Sequence, residues 1–351
     1  MRDLLLLADE PEESAAAFGT LGLALGWVRH RVSGSPAAEF VLDDPSGTLE
    51  PLRELRALCA ERRLRPVYAA GTTDASVVYA TLWAEALNVR CACPSECVDF
   101  FYDRLVQRRE LGDHPWNVPA VAGDELDALP GKGPWAVKAR GGPGRTRKCA
   151  TRVQLAAPAG AEGADHLVEP WLPGFDIALD AFYVHGAIRL TALGESTTEG
   201  RVTAWLAGPV LPEELVADLL ADLSDLLTAR GFEEGPVHAR FRLRGSKPAL
   251  VSLRPRPGGD GLSALGAASG AAGLMDCFRR MLHGDDLPAY AFPDSWAYQI
   301  HADPGVPSAP ARAAVPDAEF TDHGPRGWSL RLRTPDETIA RAAKESIEAL
   351  T

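Results

Sequence analysis

Over residues 3–87, short apolar runs alternate with amphipathic stretches, and this alternation most narrows what the chain can fold into. Asp3 with Leu4–Ala8 reads as a buried strand, and a helix is predicted from about Pro11 to Gly26. Glu39–Leu42 is a short strand. Pro51–Leu64 places Leu52, Leu55 and Leu58 on one helical face, with Arg and Glu opposite. Arg65–Ala70 is a strand and Asp74–Leu87 a helix. Strands that alternate with helices must pair in parallel, because each crossover returns the chain to the same sheet edge. The reading is therefore an N-terminal parallel α/β domain, placed at residues 1–98.

Beyond that point the rhythm changes. Asp99–Leu111 is predicted helical, and Trp135–Ala139 a strand followed by the loop Arg140–Lys148. His166–Glu169, Ile177–His185 and Ala187–Leu193 are predicted strands, the last two joined through His185-Gly186. Pro212–Arg230 is a helix with Pro in its first turn, Leu215, Leu219, Leu220, Leu223, Leu226 and Leu227 inward, and Gly231 past its end. Val237–Leu243 and Ala249–Leu253 read as a hairpin around Gly245-Ser246. A helix from Ala264 to about Leu282, strands at Ala297–His301 and Trp328–Leu332, and a final helix opened by Thr334-Pro335-Asp336-Glu337 complete the chain. The Pro/Ala stretch 304–315 is the one linker-like segment, and no internal repeat is present.

Composition excludes several classes. With 351 residues, 46% apolar and 24% charged, the chain can bury a core and is neither disordered nor a small disulfide scaffold. No apolar run approaches the ~18–20 residues of a membrane span. Met1–Leu7 is too short and too closely followed by Asp9 and Glu10 for a signal peptide. The expectation is a cytoplasmic protein with six reduced thiols and no membrane partner. The net charge of −12 argues against nucleic acid. Five of the 36 basic residues are lysines (Lys132, Lys138, Lys148, Lys247, Lys344), so a lysine is more informative here than an arginine.

The second half carries a series of motifs in order. Pro134-Trp135-Ala136-Val137-Lys138 precedes Gly141-Gly142-Pro143-Gly144. Then come Leu167-Val168-Glu169-Pro170-Trp171-Leu172-Pro173-Gly174-Phe175-Asp176 and Gly235-Pro236-Val237-His238-Ala239-Arg240. Val251-Ser252-Leu253-Arg254-Pro255-Arg256 closes the series. A strand-borne lysine beside a glycine loop supplies one fixed charge and a backbone able to close over phosphates. With Tyr102-Asp103-Arg104 at a helix start and Val118-Pro119, this order resembles the ATP-grasp superfamily, in its biotin carboxylase-like and L-amino-acid ligase branch.

The resemblance implies a pre-ATP-grasp α/β domain (1–98) followed by a two-subdomain ATP-grasp fold. Its small subdomain with the glycine loop falls at 99–178, and its C-terminal subdomain with an α/β tail at 179–351. It implies an ATP-dependent ligase that joins small carboxylate and amine substrates through an acyl phosphate. ATP would be bound by Arg104, Lys138, Gly141, Gly142, Gly144, Glu169, Trp171, Leu172 and Asp176. In this mapping Lys138 meets a phosphate, Glu169 and the Trp171–Leu172 backbone lie beside the adenine, and Asp176 accepts the ribose hydroxyls.

The chain departs from the family at the metal. The usual magnesium ligand positions hold Arg240, Ser252 and Arg254, while the final Arg256 is kept. Magnesium needs oxygen ligands, so its site is expected to be absent. Arg240, Arg254 and Arg256 would then supply the positive charge at the catalytic centre. Lys138, Arg140, Arg145, Arg147, Lys148 and Arg152 form one acid-free basic run, and Arg240, Arg242, Arg244, Lys247, Arg254 and Arg256 a second. The alternative is a degenerate member that binds a small anion, or completes a partner ligase or homodimer, without turnover.

Other motifs carry less. Cys91-x-Cys93-x₃-Cys97 fits no common zinc spacing and reads as small buried residues. His238 occupies a strand position where the family often has histidine. Gly261–Gly266 lacks the spacing of a nucleophile elbow. Gly142-x-Gly144 is followed by Arg147 where a dinucleotide fingerprint needs glycine.

Overall fold

The computed structural model describes residues 1–8, 24–29, 40–43, 48–71, 73–129, 132–141, 146–155, 163–199, 202–258, 262–268, 273–288, 293–303, 305–322, 324 and 327–348. They fall into two compact units. The first comprises 1–173, 227–235 and 247–256, and the second 174–226, 236–246 and 257–351.

The first unit opens with a parallel sheet in the order β3-β2-β1-β4-β5, formed by β1 Arg2–Ala8, β2 Ala24–Arg29, β3 Phe40–Asp43, β4 Leu64–Gly71 and β5 Arg90–Cys91. The central strand β1 is an unbroken apolar run, with Leu4–Leu7 and Ala8 buried, as a parallel strand covered on both faces requires. Each buried leucine contributes roughly 1.5–3 kcal/mol relative to exposure. Helices α1 Leu52–Glu61 and α2 Asp74–Leu87 follow β3 and β4. Leu55, Cys59, Tyr79, Ala80, Trp83 and Ala84 pack with Leu4 and Leu6 in one core. Thr73 caps α2 in a reciprocal box with Ser76, which fixes where that helix begins at the carboxyl end of β4.

The predicted helix from Pro11 to Gly26 lies mostly outside the described residues, but its end is corrected. Ala24–Arg29 is a strand pairing in parallel with β1. A short apolar segment carries no period that separates strand from helix, and Gly26 suits the sheet because a Cβ there would lie 2.4 Å from the Phe40 ring.

The single helix predicted over Asp99–Leu111 is also corrected. Two helices, α3 Ser95–Tyr102 and α4 Arg104–Leu111, meet at Asp103. Its carboxylate accepts the Leu105 and Val106 backbone N–H groups and so starts α4 afresh. A four-stranded sheet follows in the order β6-β9-β7-β8, from β6 Val121–Ala122, β7 Trp135–Ala139, β8 Arg147–Cys149 and β9 His166–Pro170.

The second unit is built on antiparallel strands in the order β13-β10-β11-β12-β15-β17-β16. They are β10 Phe175–Val184, β11 Ala187–Glu199, β12 Val202–Ala207, β13 Glu234–Arg244, β15 Trp296–Ala302, β16 Glu319–Asp322 and β17 Trp328–Thr334; Lys247–Arg254, β14, lies in the first unit. His185 and Gly186, at φ 44° and 86°, make the two-residue turn between β10 and β11. β12 and the short β16 carry no expectation from the sequence. Helix α5 Glu213–Ala229 buries Val216 where Leu215 was expected, with Leu219, Leu220, Leu223, Leu226 and Leu227. The helix predicted from Ala264 is two described segments, α6 Leu262–Ala268 and α7 Leu274–His283. The expected linker holds α8 Ala309–Ala314, whose Ala311 packs with Val315, Trp328 and Leu330. The last helix, α9 Glu337–Glu348, is capped by Asp336, which accepts the Thr338 N–H, while Thr334 instead accepts the N–H of Asp336.

Candidate functional site

Lys138 lies on β7 opposite Leu167, and Glu169 follows two residues further along β9 on the same face. Such diagonal neighbours are within reach of long side chains. Lys138 Nζ makes a short ion pair with Glu169 Oε1, and Arg108 Nε donates to Glu169 Oε2 at 3.0 Å. Glu169 is 3% exposed. Burial alone would raise its carboxyl, but Arg108 and Lys138 outweigh that and hold it below the usual carboxylate range. Burial also pulls the Lys138 ammonium down, with Glu169 opposing.

Arg104 stands one helical turn before Arg108 on α4, so the two guanidiniums share a face. Arg104 donates to the Ala139 carbonyl at 2.8 Å. Its charge interacts with Asp74, Arg108, Glu169 and Arg256, which makes it the bridge to a second group of charges. There Asp74, at the first turn of α2, accepts Arg256 Nε at 2.6 Å and lies 3.2 Å from Arg254 Nε. Arg254 is 2% exposed and also donates to the Phe101 carbonyl. Burial, reinforced by Arg104, pushes its guanidinium down to about 10, which leaves it charged at neutral pH. Burial would raise the Asp74 carboxyl, yet Arg254 and Arg256 keep it low. Five cations and two carboxylates thus form one contiguous cluster in the first unit.

Beside this cluster is a cavity of about 600 Å³ lined by Tyr102, Asp103, Ala139, Arg140, Gly141, Asp165 and His166. Gly141 opens the glycine loop, and a Cβ there would meet the Tyr102 ring at 2.7 Å. Gly142, Gly144 and Arg145 lie outside the described residues. Trp171 follows β9, its backbone N–H bonded to the Pro134 carbonyl, and the Lys148 ammonium sits 4.9 Å from its ring centroid. Leu172 is partly buried next to it.

In the second unit, Asp176 takes two nitrogens of one guanidinium: Arg242 Nε and Nη2 donate to its two oxygens, each at 2.6 Å. Arg240 is 3.8 Å from the same carboxylate and donates to Ser196 Oγ at 3.4 Å. Phe241 and Leu243 are buried while Arg240 and Arg242 are partly exposed, so the arginines share one face of β13 as their alternation predicts. On the other hand His238 is buried, with Nδ1 2.8 Å from Asp180 Oδ1, which also accepts the Gly258 N–H. Gly174 precedes β10 at φ 128°, and a Cβ there would lie 2.0 Å from the Leu243 carbonyl oxygen.

At the three positions that the resemblance maps to magnesium ligands, the residues present do not fit that ion. Arg240, Ser252 and Arg254 offer no anionic oxygen, Ser252 is buried, and Arg254 is sequestered. Among the described residues, no group of three His, Cys, Asp or Glu side chains could hold a metal ion. Arg254, expected to supply charge at the catalytic centre, is buried, with Nε 3.2 Å from an Asp74 oxygen and Nη1 donating to the Phe101 carbonyl. Sequence reasoning missed Asp74 and Arg108. Asp74 had a signal, since it opens a helix at the carboxyl end of a parallel strand, where open α/β sheets place ligand-binding residues.

Solved structures match the chain nearly end to end. An L-amino acid ligase from Bacillus licheniformis is 16% identical, with 99% of this chain and 98% of that chain covered and a TM-score of 0.74. An N5-carboxyaminoimidazole synthetase from Staphylococcus aureus, complexed with ADP, is 14% identical over 100% and 98%, with a TM-score of 0.73. A glycinamide-RNase-transformylase T from Mycobacterium tuberculosis is 19% identical over 100% of both chains, with a TM-score of 0.69. These neighbours share the ATP-grasp fold, and the chain has that fold. No family model and no curated protein sequence matches it. Among the described residues no helix is long and apolar enough to cross a membrane.

Proposed function

We propose that the protein is an ATP-dependent carboxylate–amine ligase in which fixed cations stand where relatives hold a metal. The observation that supports this is the cluster of Arg104, Arg108, Lys138, Arg254 and Arg256, with Glu169 and Asp74 as its counter-charges among the described residues, on an ATP-grasp fold. Lys138, Arg104 and Arg256 would bind phosphate oxygens. Glu169 orients Lys138, and the Trp171–Leu172 backbone would meet the base. Asp176 would accept the ribose hydroxyls after Arg242 yields.

A substrate carboxylate oxygen would attack the terminal phosphorus, releasing ADP and forming an acyl phosphate. An amine would then attack the acyl carbon, expelling phosphate and leaving an amide. Preorganised guanidinium donors stabilise such charge without rearranging at the moment of reaction.

A second reading draws on Asp74. Its hold on both Arg254 and Arg256 neutralises cations that turnover needs, and suits a protein that binds a small anion, or completes a partner ligase, without chemistry. One experiment separates the two: nucleotide titration by calorimetry with and without Mg²⁺, paired with phosphate and ADP release across a panel of amino acids and amines. Release with at least one pair supports the ligase. Binding that survives EDTA without release supports the second reading. Neither binding nor release rejects both.

A further inference from the structure

The three thiols of Cys91-x-Cys93-x₃-Cys97 have no part in the ligase reading, yet two of them touch. Cys93 Sγ and Cys97 Sγ are 3.7 Å apart, at 1% and 5% exposure. The contact is held from several sides. The Cys93 carbonyl accepts the Thr81 hydroxyl at 2.6 Å and the Cys91 thiol at 3.3 Å, which fixes the backbone from which the Cys93 side chain departs. Cys97 lies in the first turn of α3, and its own thiol donates to the Pro94 carbonyl at 3.3 Å. The Cys93 thiol also reaches the Pro94 carbonyl, at 3.7 Å, so both thiols converge on one acceptor and on each other, and either sulfur can donate across the pair.

We infer that Cys93 and Cys97 are an oxidisable dithiol, a modification site that closes to an intramolecular disulfide on exposure to a small peroxide.

The asymmetry of the pair assigns the roles. The hydrogen bond between the two thiols lowers the Cys97 thiol and raises that of Cys93, although burial and the Glu96 and Glu233 carboxylates oppose the lowering. A helix N-terminus favours the Cys97 thiolate further. Cys91 is pushed up to about 11 by burial, so it is the poorer nucleophile although it is the least buried of the three. A surface cavity of about 670 Å³ is lined by Cys91, Pro94, Ser95 and Glu96, the chain neighbours of the pair, while the two sulfurs themselves lie beneath its wall, so the peroxide must reach them through local opening of this segment.

Cys97 sulfur attacks one peroxide oxygen, the O–O bond breaks, and hydroxide leaves as water with the thiol proton. Cys93 sulfur then attacks the Cys97 sulfenic sulfur, the S–O bond breaks, and the hydroxyl departs as a second water with the Cys93 proton. Two thiols lose two electrons and one peroxide becomes two waters. In a reducing compartment the bond would be transient, as redox-sensing disulfides are. It would tether the first turn of the helix whose Phe101 carbonyl holds Arg254.

The test uses the folded full-length chain, with hydrogen peroxide as the oxidant and circular dichroism to verify that the fold survives. After quenching, the protein is unfolded, alkylated and mapped by mass spectrometry. The expected result is a Cys93–Cys97 link that has lost two hydrogens, resists alkylation and is reopened by dithiothreitol, while Cys91 is alkylated. In Cys97→Ser, loss of the Cys93 thiol should slow by about tenfold or more, as expected when the more acidic thiol is removed. In Cys93→Ser, a sulfenic acid at Cys97 should be trapped by dimedone. Cys93 and Cys97 both remaining alkylatable, or a bridge that uses Cys91, overturns the inference. These readouts are independent of ligase activity.

Discussion

Glu169 in the first unit and Asp176 in the second make an instructive pair, because each carboxylate faces two cations. Glu169 gives one oxygen to Lys138 and the other to Arg108, deep in the protein. Asp176 gives both oxygens to Arg242, with Arg240 further off, and its side chain is 19% exposed. The number of partners is similar, but the solvent is not. Removing Glu169 strands two buried cations, whereas removing Asp176 takes one partner from an arginine that water can still reach. Burial, more than the number of ion pairs, sets what each carboxylate is worth.

Glu169→Gln should therefore have the largest effect, a loss of about 3–5 kcal/mol in urea unfolding. A loss within ~1 kcal/mol of wild type would erase the contrast between the two sites. Asp74→Asn leaves Arg254 and Arg256 side by side and should cost roughly 3 kcal/mol, with Asp74→Asn/Arg254→Met recovering part of it, since a packed apolar residue needs no counter-charge.

Acid offers a third comparison. Glu169 and Asp74 titrate lower in the folded chain than unfolded, so the stability they supply is full above the unfolded values of about 4.3 and 3.9 and is lost as pH falls below them. Unfolding free energy measured down through that window should fall for wild type and fall less steeply for Glu169→Gln, by up to about 1.4 kcal/mol per pH unit. Asp103→Ala removes the cap of α4 and the partner of Arg140, and thermal melts should register a loss of about 1 kcal/mol. Asp176→Asn should be mildest, below ~1 kcal/mol and smaller still in high salt. A larger, salt-insensitive loss would mean that the Asp176 pair behaves as a buried one.

Much of the frame was legible because it rests on local patterns. Asp74–Leu87 and Trp135–Ala139 were read to the residue, the first by its place after a strand in the alternating pattern and the second by a strand bounded by a proline and a glycine loop. The ordered motifs led to the ATP-grasp fold. Ala24–Arg29 failed because a buried parallel strand has no alternation to read, and the single helix over Asp99–Leu111 failed because periodicity runs through Asp103, although the motif Tyr102-Asp103-Arg104 did mark a helix start there. The candidate site was half legible. Lys138 and Glu169 stood out, but the roles suggested for Arg254 and Asp176 took no account of Asp74 and Arg242.

The sequence alone determined the alternating frame of the first domain and the order of the motifs, and it set arginine and serine where the resemblance maps the magnesium ligands. Only the tertiary structure decided which charge meets which. Asp74 neutralises Arg256 across 182 residues, and Glu169 is held by Arg108 across 61. Periodicity and spacing act over one or two turns of chain, whereas an ion pair depends on distance and burial in space. Two arginines in one short segment, Arg254 and Arg256, therefore read as open positive charge in the sequence and as a counter-charged core in the fold.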